Sequence, residues 1–316
     1  QLKNTLNSQL LFFPSWEIQP HEQRMPHIDV TSERLETLIK LLDPPIAAPR
    51  GKSRKGTQSA SASASAPTVV TTAVALLQKT FPAENLRART RLLKRNDQLD
   101  PLDLIEWLED QGYEPEAQVT QKGEIALRGG IVDVYPPSSP WPMRLEFFGD
   151  ELESIRSFDP HTQISREEID EATLSPAGEL SILRKELEGE SEKISRKASA
   201  KPKPKNALAS LLDYLPGKPI VLLCEPDLLQ DAVDHYSNDL PSKDSFHVTW
   251  EEIEARTEAR GGQLIELHEL HRELAPPPPH DPQPGRQQRR RCRHPPRRDA
   301  TSTSATAYSQ CIAVSC

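Results

Sequence analysis

The sequence predicts an α/β fold of more than one compact unit, joined by linkers. Three observations carry this. At 316 residues the chain is long enough for two or three domains with real cores. Only 35% of it is hydrophobic and 30 residues are proline, so cores must share the length with unstructured connections. Short apolar runs with strand alternation recur between segments of helical period, the pattern of a mixed α/β chain.

Taken in order, QLLFFPSW (Gln9–Trp16) reads as a buried strand stopped by Pro14. HIDVTSERLETLIKLLDPP predicts a short amphipathic helix. Its expected N-cap is Thr31, its stripe Leu35, Leu38, Ile39 and Leu42, and its stop Pro44-Pro45. Residues 44–67 are Ser/Ala repeats with Pro and Lys and predict a disordered insertion, since they bury too little surface to order themselves. TVVTTAVALLQ then resumes as a strand running into a helix, completing a first segment over 1–88.

From 89 to 178 the pattern is that of a compact α/β unit opened by RTRLLKRND. Its helix is well punctuated: Asp100 at the N-cap, Pro101 at N1, Leu102, Ile105 and Leu108 inward, and Gly112 at the stop. Strand-like pieces follow at AQVT, EIALRGGIVDVY, MRLEFFG, ELESIRSF and ATLSP. Gly149-Asp150 marks a turn, and Gly129-Gly130 predicts a bulge or a close backbone approach inside a strand. Residues 179–206 read as a linker, and 207–275 as a second compact segment. There PIVLLC has the apolar continuity of a strand covered on both faces, and WEEIEARTEARGGQLIELHELHREL continues with helical period. Residues 276–316 show neither period nor core pattern and predict a disordered Pro/Arg-rich tail. The abrupt break at Ala275/Pro276 predicts a change of reading frame or a missing exon, and the start at Gln1 a piece of a longer protein.

Charge and motifs narrow the function. The tail holds seven arginines against two aspartates, a net +5, which leaves −13 on the rest of a chain whose total is −8. A body that acidic is a poor phosphate-backbone binder, whereas the tail predicts nonspecific, salt-sensitive nucleic-acid binding. Cys224, Cys292, Cys311 and Cys316 have neither zinc-site spacing nor a disulfide framework. No signal peptide and no apolar run long enough for a membrane span is present, which predicts a cytoplasmic location. Gly51-Lys52-Ser53 ends like a phosphate loop, but Ile46 stands where its first glycine belongs. Asp170-Glu171-Ala172-Thr173 mimics a helicase box in a polar stretch that reads as a solvated loop, and His268-Glu269-Leu270-His271 is one residue short of a zinc-protease spacing. Asp133, Glu146 and Asp150 lack a His, Lys or metal cluster to make acid/base work of them. No catalytic, cofactor or metal residue is assigned.

The remaining candidate is a strand face. In MRLEFFG, Met143, Leu145 and Phe147 share one side, while Arg144, Glu146 and Phe148 share the other. Pairing across the Pro136–Pro142 turn would bring Arg128 near the second set. One account is ordinary surface chemistry, with Arg144 paired to Glu146 or Glu153 and Phe148 capping the sheet edge. The other is a protein-binding patch, because arginine and aromatic side chains dominate interfaces.

The stretch RGGIVDVYPPSSPWPMRLEFFGDELESIRSFDPHTQ resembles a segment shared by bacterial transcription-repair coupling factors and the excision-repair protein UvrB. The resemblance extends upstream to FFPSWEIQPHEQRMPHIDVTSERLETL and downstream to SLLDYLPGKPIVLLCEPDLL, covering most of residues 9–270. With five tyrosines, none clustered, the chain is more similar to the coupling factors than to UvrB. The resemblance implies a degenerate helicase-like domain, P-loop-NTPase-like without the ATPase motifs, carrying an inserted UvrB-type α/β interaction domain. It implies a non-enzymatic module that docks UvrA through Arg128, Arg144 and Phe148. ATP, Mg, RNA polymerase and DNA would be handled by parts of the family's proteins outside this sequence, and a C-terminal domain there would mask the docking face. A fragment of a DNA translocase, or a UvrB-like DNA-binding subunit, is the alternative.

Overall fold

The computed structural model describes residues 10–42, 67–196, 208–241, 244–268 and 311–315. The 44–67 insertion up to residue 66, residues 197–207 and the tail from 276 to 310 lie outside the described residues, as does Gly51-Lys52-Ser53.

Strand β1 (Leu10–Phe13) ends at Pro14 as expected. Helix α1 (Ile28–Leu41) begins three residues before the predicted Thr31 cap. His27 is the N-cap instead, its Nδ1 accepting the Asp29 N–H at 3.3 Å, and Thr31 is buried inside the first turn. β2 (Thr68–Thr72) pairs parallel with β1, with Phe12 opposite Val70. It passes directly into α2 (Ala73–Leu77), where the Thr72 hydroxyl accepts the Ala75 N–H. A short α3 (Ala83–Ala88) leads out of this unit.

The next unit opens with β3 (Arg91–Lys94) and α4 (Pro101–Asp110). The Asp100 carboxylate caps α4 by accepting the Leu102 N–H at 2.7 Å. Leu104 and Leu108, four residues apart, face the core, and Leu102 is 62% exposed. The expected inward role of Leu102 is therefore wrong: two residues is about 200° of helix rotation from Leu104. AQVT forms no strand; the short β4 (Glu114–Pro115) pairs with β5 (Glu124–Arg128) instead. After β5 come β6 (Ile131–Val134), β7 (Met143–Phe148), β8 (Glu151–Phe158), β9 (Ser165–Glu168) and β10 (Glu171–Leu174). Strands β4 to β9 form one sheet in sequence order, while β10 pairs antiparallel with β3. SREEIDEAT was expected to be solvated loop and ATLSP strand-like; Ser165–Glu168 is instead a strand, and Glu171–Leu174 is a strand as the second expectation has it. The first is a fully exposed edge strand, and the second places Ala172 and Leu174 in the core.

Gly129-Gly130 is not a bulge within one strand. It is a two-residue turn, with Arg128 opposite Ile131, that splits EIALRGGIVDVY into the β5–β6 hairpin. Gly129 takes φ 63°, and a Cβ at Gly130 would stand 2.8 Å from the Phe147 carbonyl oxygen. That close approach fits the sequence expectation, and the Phe147 N–H donates to the Gly130 carbonyl at 2.7 Å. Gly130→Ala is expected to cost about 1–3 kcal/mol, because backbone rather than a flexible side chain must move. A fall in the urea midpoint at unchanged m-value checks it.

Residues 179–206 were expected to be linker, but α5 (Leu180–Arg196) begins there, with Leu180 and Leu183 fully buried. A stripe at three-residue spacing fixes this helix to the first unit. The chain then runs through α6 (Leu211–Tyr214), β11 (Ile220–Cys224), α7 (Pro226–Asn238), α8 (Trp250–Ala259), β12 (Gln263–Leu267) and β13 (Cys311–Ser315). The first and last segments share one core, which includes Phe13, Leu35, Leu76, Leu183, Leu211 and Val221. The intervening unit has its own, built on Leu104, Leu108, Val132, Leu145, Leu152 and Ile155. The outer sheet has the order β1-β2-β13-β11-β12.

Three sequence expectations change here. β11 buries Val221 and Leu223 only, leaving Ile220 exposed, so one face of that strand is covered rather than two. The helical period after Trp250 stops at Gly261-Gly262, and QLIEL becomes β12, parallel to β11. The tail is not disordered throughout, since Cys311–Ser315 is a strand inside the sheet with Ile312 fully buried.

A buried polar knot lies in the first unit, where the chain returns from the intervening one. The Arg34 guanidinium on α1 is fully buried and donates to both Glu179 carboxylate oxygens, at 2.7 and 3.1 Å. Glu179 is the last residue before α5, where the chain returns from the intervening unit. It also accepts from Trp16 Nε1 at 3.1 Å and Thr80 Oγ1 at 2.6 Å. Arg34 donates further to the Pro14 carbonyl at 2.9 Å and lies between the Phe13 and Trp16 rings, 4.1 and 4.4 Å from their centroids.

Candidate protein-binding site

The register of β5, β6 and β7 decides which charged side chains meet. Ala126, Asp133 and Arg144 lie in one row across the three strands, and Arg128, Ile131 and Glu146 in the next. Residues of one row share a face of the sheet. Asp133 is fully buried even though this is the face away from α4. Arg144 grips it in a fork, Nε to Oδ1 at 2.7 Å and Nη2 to Oδ2 at 2.9 Å, and Arg128 adds a bond from Nη2 to Oδ2. These bonds hold the Arg144 guanidinium above its ordinary pKa, against the opposing effect of its partial burial. The Phe158 ring lies under Arg144, 4.6 Å from centroid to Cζ. Phe158, Val119 and Ala126 form a small apolar cluster on this face.

The sequence-predicted residues thus fall on one side of one sheet. Arg128 and Arg144 are brought to a single carboxylate, and their side chains are 49% and 17% exposed. The expected pairing of Arg144 with Glu146 or Glu153 does not form. Glu146 instead accepts from Ser154 Oγ at 2.6 Å and Arg156 at 3.4 Å. Farther along the same face, Arg95 pairs with Glu168 at 2.9 Å. Phe148 ends β7 at 79% exposure, beside a two-residue turn in which Gly149 takes φ 60°, the first-position conformation that a II′ hairpin assigns to glycine. The edge-capping account of Phe148 fails, because β7 lies between β6 and β8 and the residue is mostly exposed. From Arg144 to Phe148 the face extends roughly 13 Å along the strand.

Chemically the face offers guanidinium donors held in place by a buried carboxylate, followed by an aromatic ring open to solvent. It carries no paired acid and base, because Asp133 and Glu146 are both committed to arginines. Among the described residues, no group of three His, Cys, Asp or Glu side chains is placed to hold a metal. Nor is any described helix long and apolar enough to cross a membrane. Sequence reasoning missed the role of Asp133, the shared anchor. The available signal was a lone charge inside the apolar run IVDV.

Residues 92–180 match the family model of the UvrB interaction domain. The chain is 34% identical over 175 residues to the transcription-repair-coupling factor of Haemophilus influenzae, covering 55% of this chain and 14% of that protein. Against the protein of the same name from Escherichia coli it is 31% identical over 164 residues, 52% of this chain and 12% of the relative. For Bacillus subtilis the identity is 36% over 129 residues, 41% of this chain and 11% of the relative. The matches therefore span about half of this chain and a seventh or less of the relatives' length.

Proposed function

For a chain that carries a UvrB interaction domain and is related over half its length to transcription-repair-coupling factors, we propose a non-catalytic recruiting role. The module docks UvrA and thereby brings nucleotide excision repair to RNA polymerase stalled at damage. The contact residues are Arg128, Arg144 and Phe148. The outer unit is read as a degenerate helicase-like domain, and ATP-driven translocation on DNA belongs to the longer proteins it resembles.

One observation supports this reading above the others. Phe148 stands 79% exposed on the same face as two arginines pinned to Asp133. Leaving a phenylalanine ring in water gives up about 1.5–3 kcal/mol of burial, which a partner recovers on binding. The pinned guanidiniums also lose little side-chain freedom when they meet that partner.

Purified UvrA immobilised against this chain tests the assignment. Phe148→Ala and Arg144→Ala are each expected to weaken binding by about 2 kcal/mol or more, roughly 30-fold. Phe148→Ala should leave thermal unfolding unchanged, so lost binding cannot be lost folding. Undiminished binding in both variants overturns the site, and ATP turnover by the purified chain overturns the non-enzymatic reading.

A further inference from the structure

The outer sheet contains a strand that runs against all its neighbours. β1 and β2 are parallel, and β11 and β12 are parallel. β13 is antiparallel to both β2 and β11, so the other four strands share one direction. No ladder joins β2 to β11 directly, and β13 supplies the hydrogen bonds between the two halves of the sheet. The gap it fills is two strand spacings wide, about 9.6 Å.

From this we infer that the slot between β2 and β11 is an acceptor site for one extended apolar segment. Residues 311–315 of the chain are its exchangeable occupant. The recognition chemistry can be read from the register. Ile312 lies between Thr71 and Leu223, and Val314 at the position between Val69 and Val221. Thr71, Val69 and Val221 are fully buried and Leu223 nearly so, and the one polar group among them, the Thr71 hydroxyl, donates to the Phe13 carbonyl at 2.7 Å, so the two core-side positions of the slot face aliphatic groups. Ile312 itself is fully buried. The backbone supplies affinity through two ladders, five residue pairs with β2 and four with β11. Alternate side chains supply selection, as in β-strand addition. The occupant is thus an antiparallel strand with branched aliphatic residues at alternate positions.

Exchangeability follows from covalent arrangement. Forty-two residues, 269–310, lie between His268, the last described residue of the β12 segment, and β13, and among the described residues no turn ties β13 to β2 or β11. Emptying the slot breaks no hairpin. It does uncover two inner strand edges whose N–H and C=O groups then lack partners, so an unoccupied slot favours capture of another strand.

Hydrogen exchange on the full chain is the test, with a synthetic peptide of residues 309–316, kept reduced, as probe. In the unaltered chain, excess peptide is expected to deprotect the amides of 311–315 while 68–72 and 220–224 stay protected, because one strand replaces another. In the full-length Ile312→Asp variant, protection at 68–72 and 220–224 is expected to fall by at least about tenfold, since a buried unpaired carboxylate expels the strand. Added peptide should restore it, and the same peptide carrying Ile312→Asp should not. Amides of the β4–β9 sheet report whether the fold survives; if they too lose protection, Ile312→Ala takes the place of the aspartate variant. Protection at 68–72 and 220–224 that is unchanged by the substitution overturns the inference. So does a 311–315 segment that stays protected under saturating peptide.

Discussion

Arg34→Met lowers stability by about 3–5 kcal/mol, the cost of leaving one member of a buried ion pair without its partner. Both side chains of the Arg34–Glu179 pair are fully buried. Removing the cation strands a carboxylate that keeps only neutral donors, Trp16 Nε1 and Thr80 Oγ1. The Phe13 and Trp16 rings also lose the guanidinium between them. Combining Arg34→Met with Glu179→Met is expected to recover part of the loss. A residue of about 1–3 kcal/mol should remain, because Trp16 and Thr80 then lack an acceptor. Urea midpoints of the two single variants and the double variant check this. A double variant as unstable as the sum of the singles would mean that the two residues act separately.

On the proposed UvrA-docking role, Asp133→Asn is expected to weaken binding about as much as removing a contact residue, roughly 10- to 30-fold, although Asp133 has no exposed surface through which to touch a partner. The amide keeps one acceptor oxygen but turns an N–H₂ group toward guanidiniums that have only donors to offer. Arg144 loses its two-bond grip and Arg128 its anchor. Both arginines then have to be ordered at the moment of binding. The fold should lose about 1–3 kcal/mol, less than at Arg34, because the arginines released here reach solvent. Calorimetric titration with UvrA should show a less favourable binding entropy, and affinity equal to that of the unaltered chain would remove Asp133 from the site.

Local rules made part of this structure legible. Alternation in MRLEFFG separated Leu145 from Arg144 and Phe148 because a strand's period of two is insensitive to what surrounds it. The Asp100 cap and Gly149-Asp150 turn were readable for the same reason. Long-range pairing was not readable. Arg34 lies one position from Leu35 on the buried side of α1, yet it looks polar in any periodicity count, and its partner Glu179 lies 145 residues away. Asp133 meets Arg128 and Arg144 only after three strands take their register, and that register depended on reading Gly129-Gly130 as a turn. β13 was illegible for a different reason. Five residues after a long proline- and arginine-rich stretch carry too little pattern to announce a strand whose neighbours lie elsewhere in the chain.

Two arginines on one carboxylate leave a single unit of positive charge. The flanking Glu146–Arg156 and Arg95–Glu168 pairs add none. At a Debye length of about 8–10 Å, such a face has almost no reach into solution. In the proposed recruiting role a partner would therefore not be drawn in from a distance; it would collide, rotate and be held only when ring and guanidiniums seat together. Association then proceeds near the unsteered 10⁵–10⁶ M⁻¹s⁻¹ range and changes little with ionic strength, and selectivity resides in how long the complex lasts.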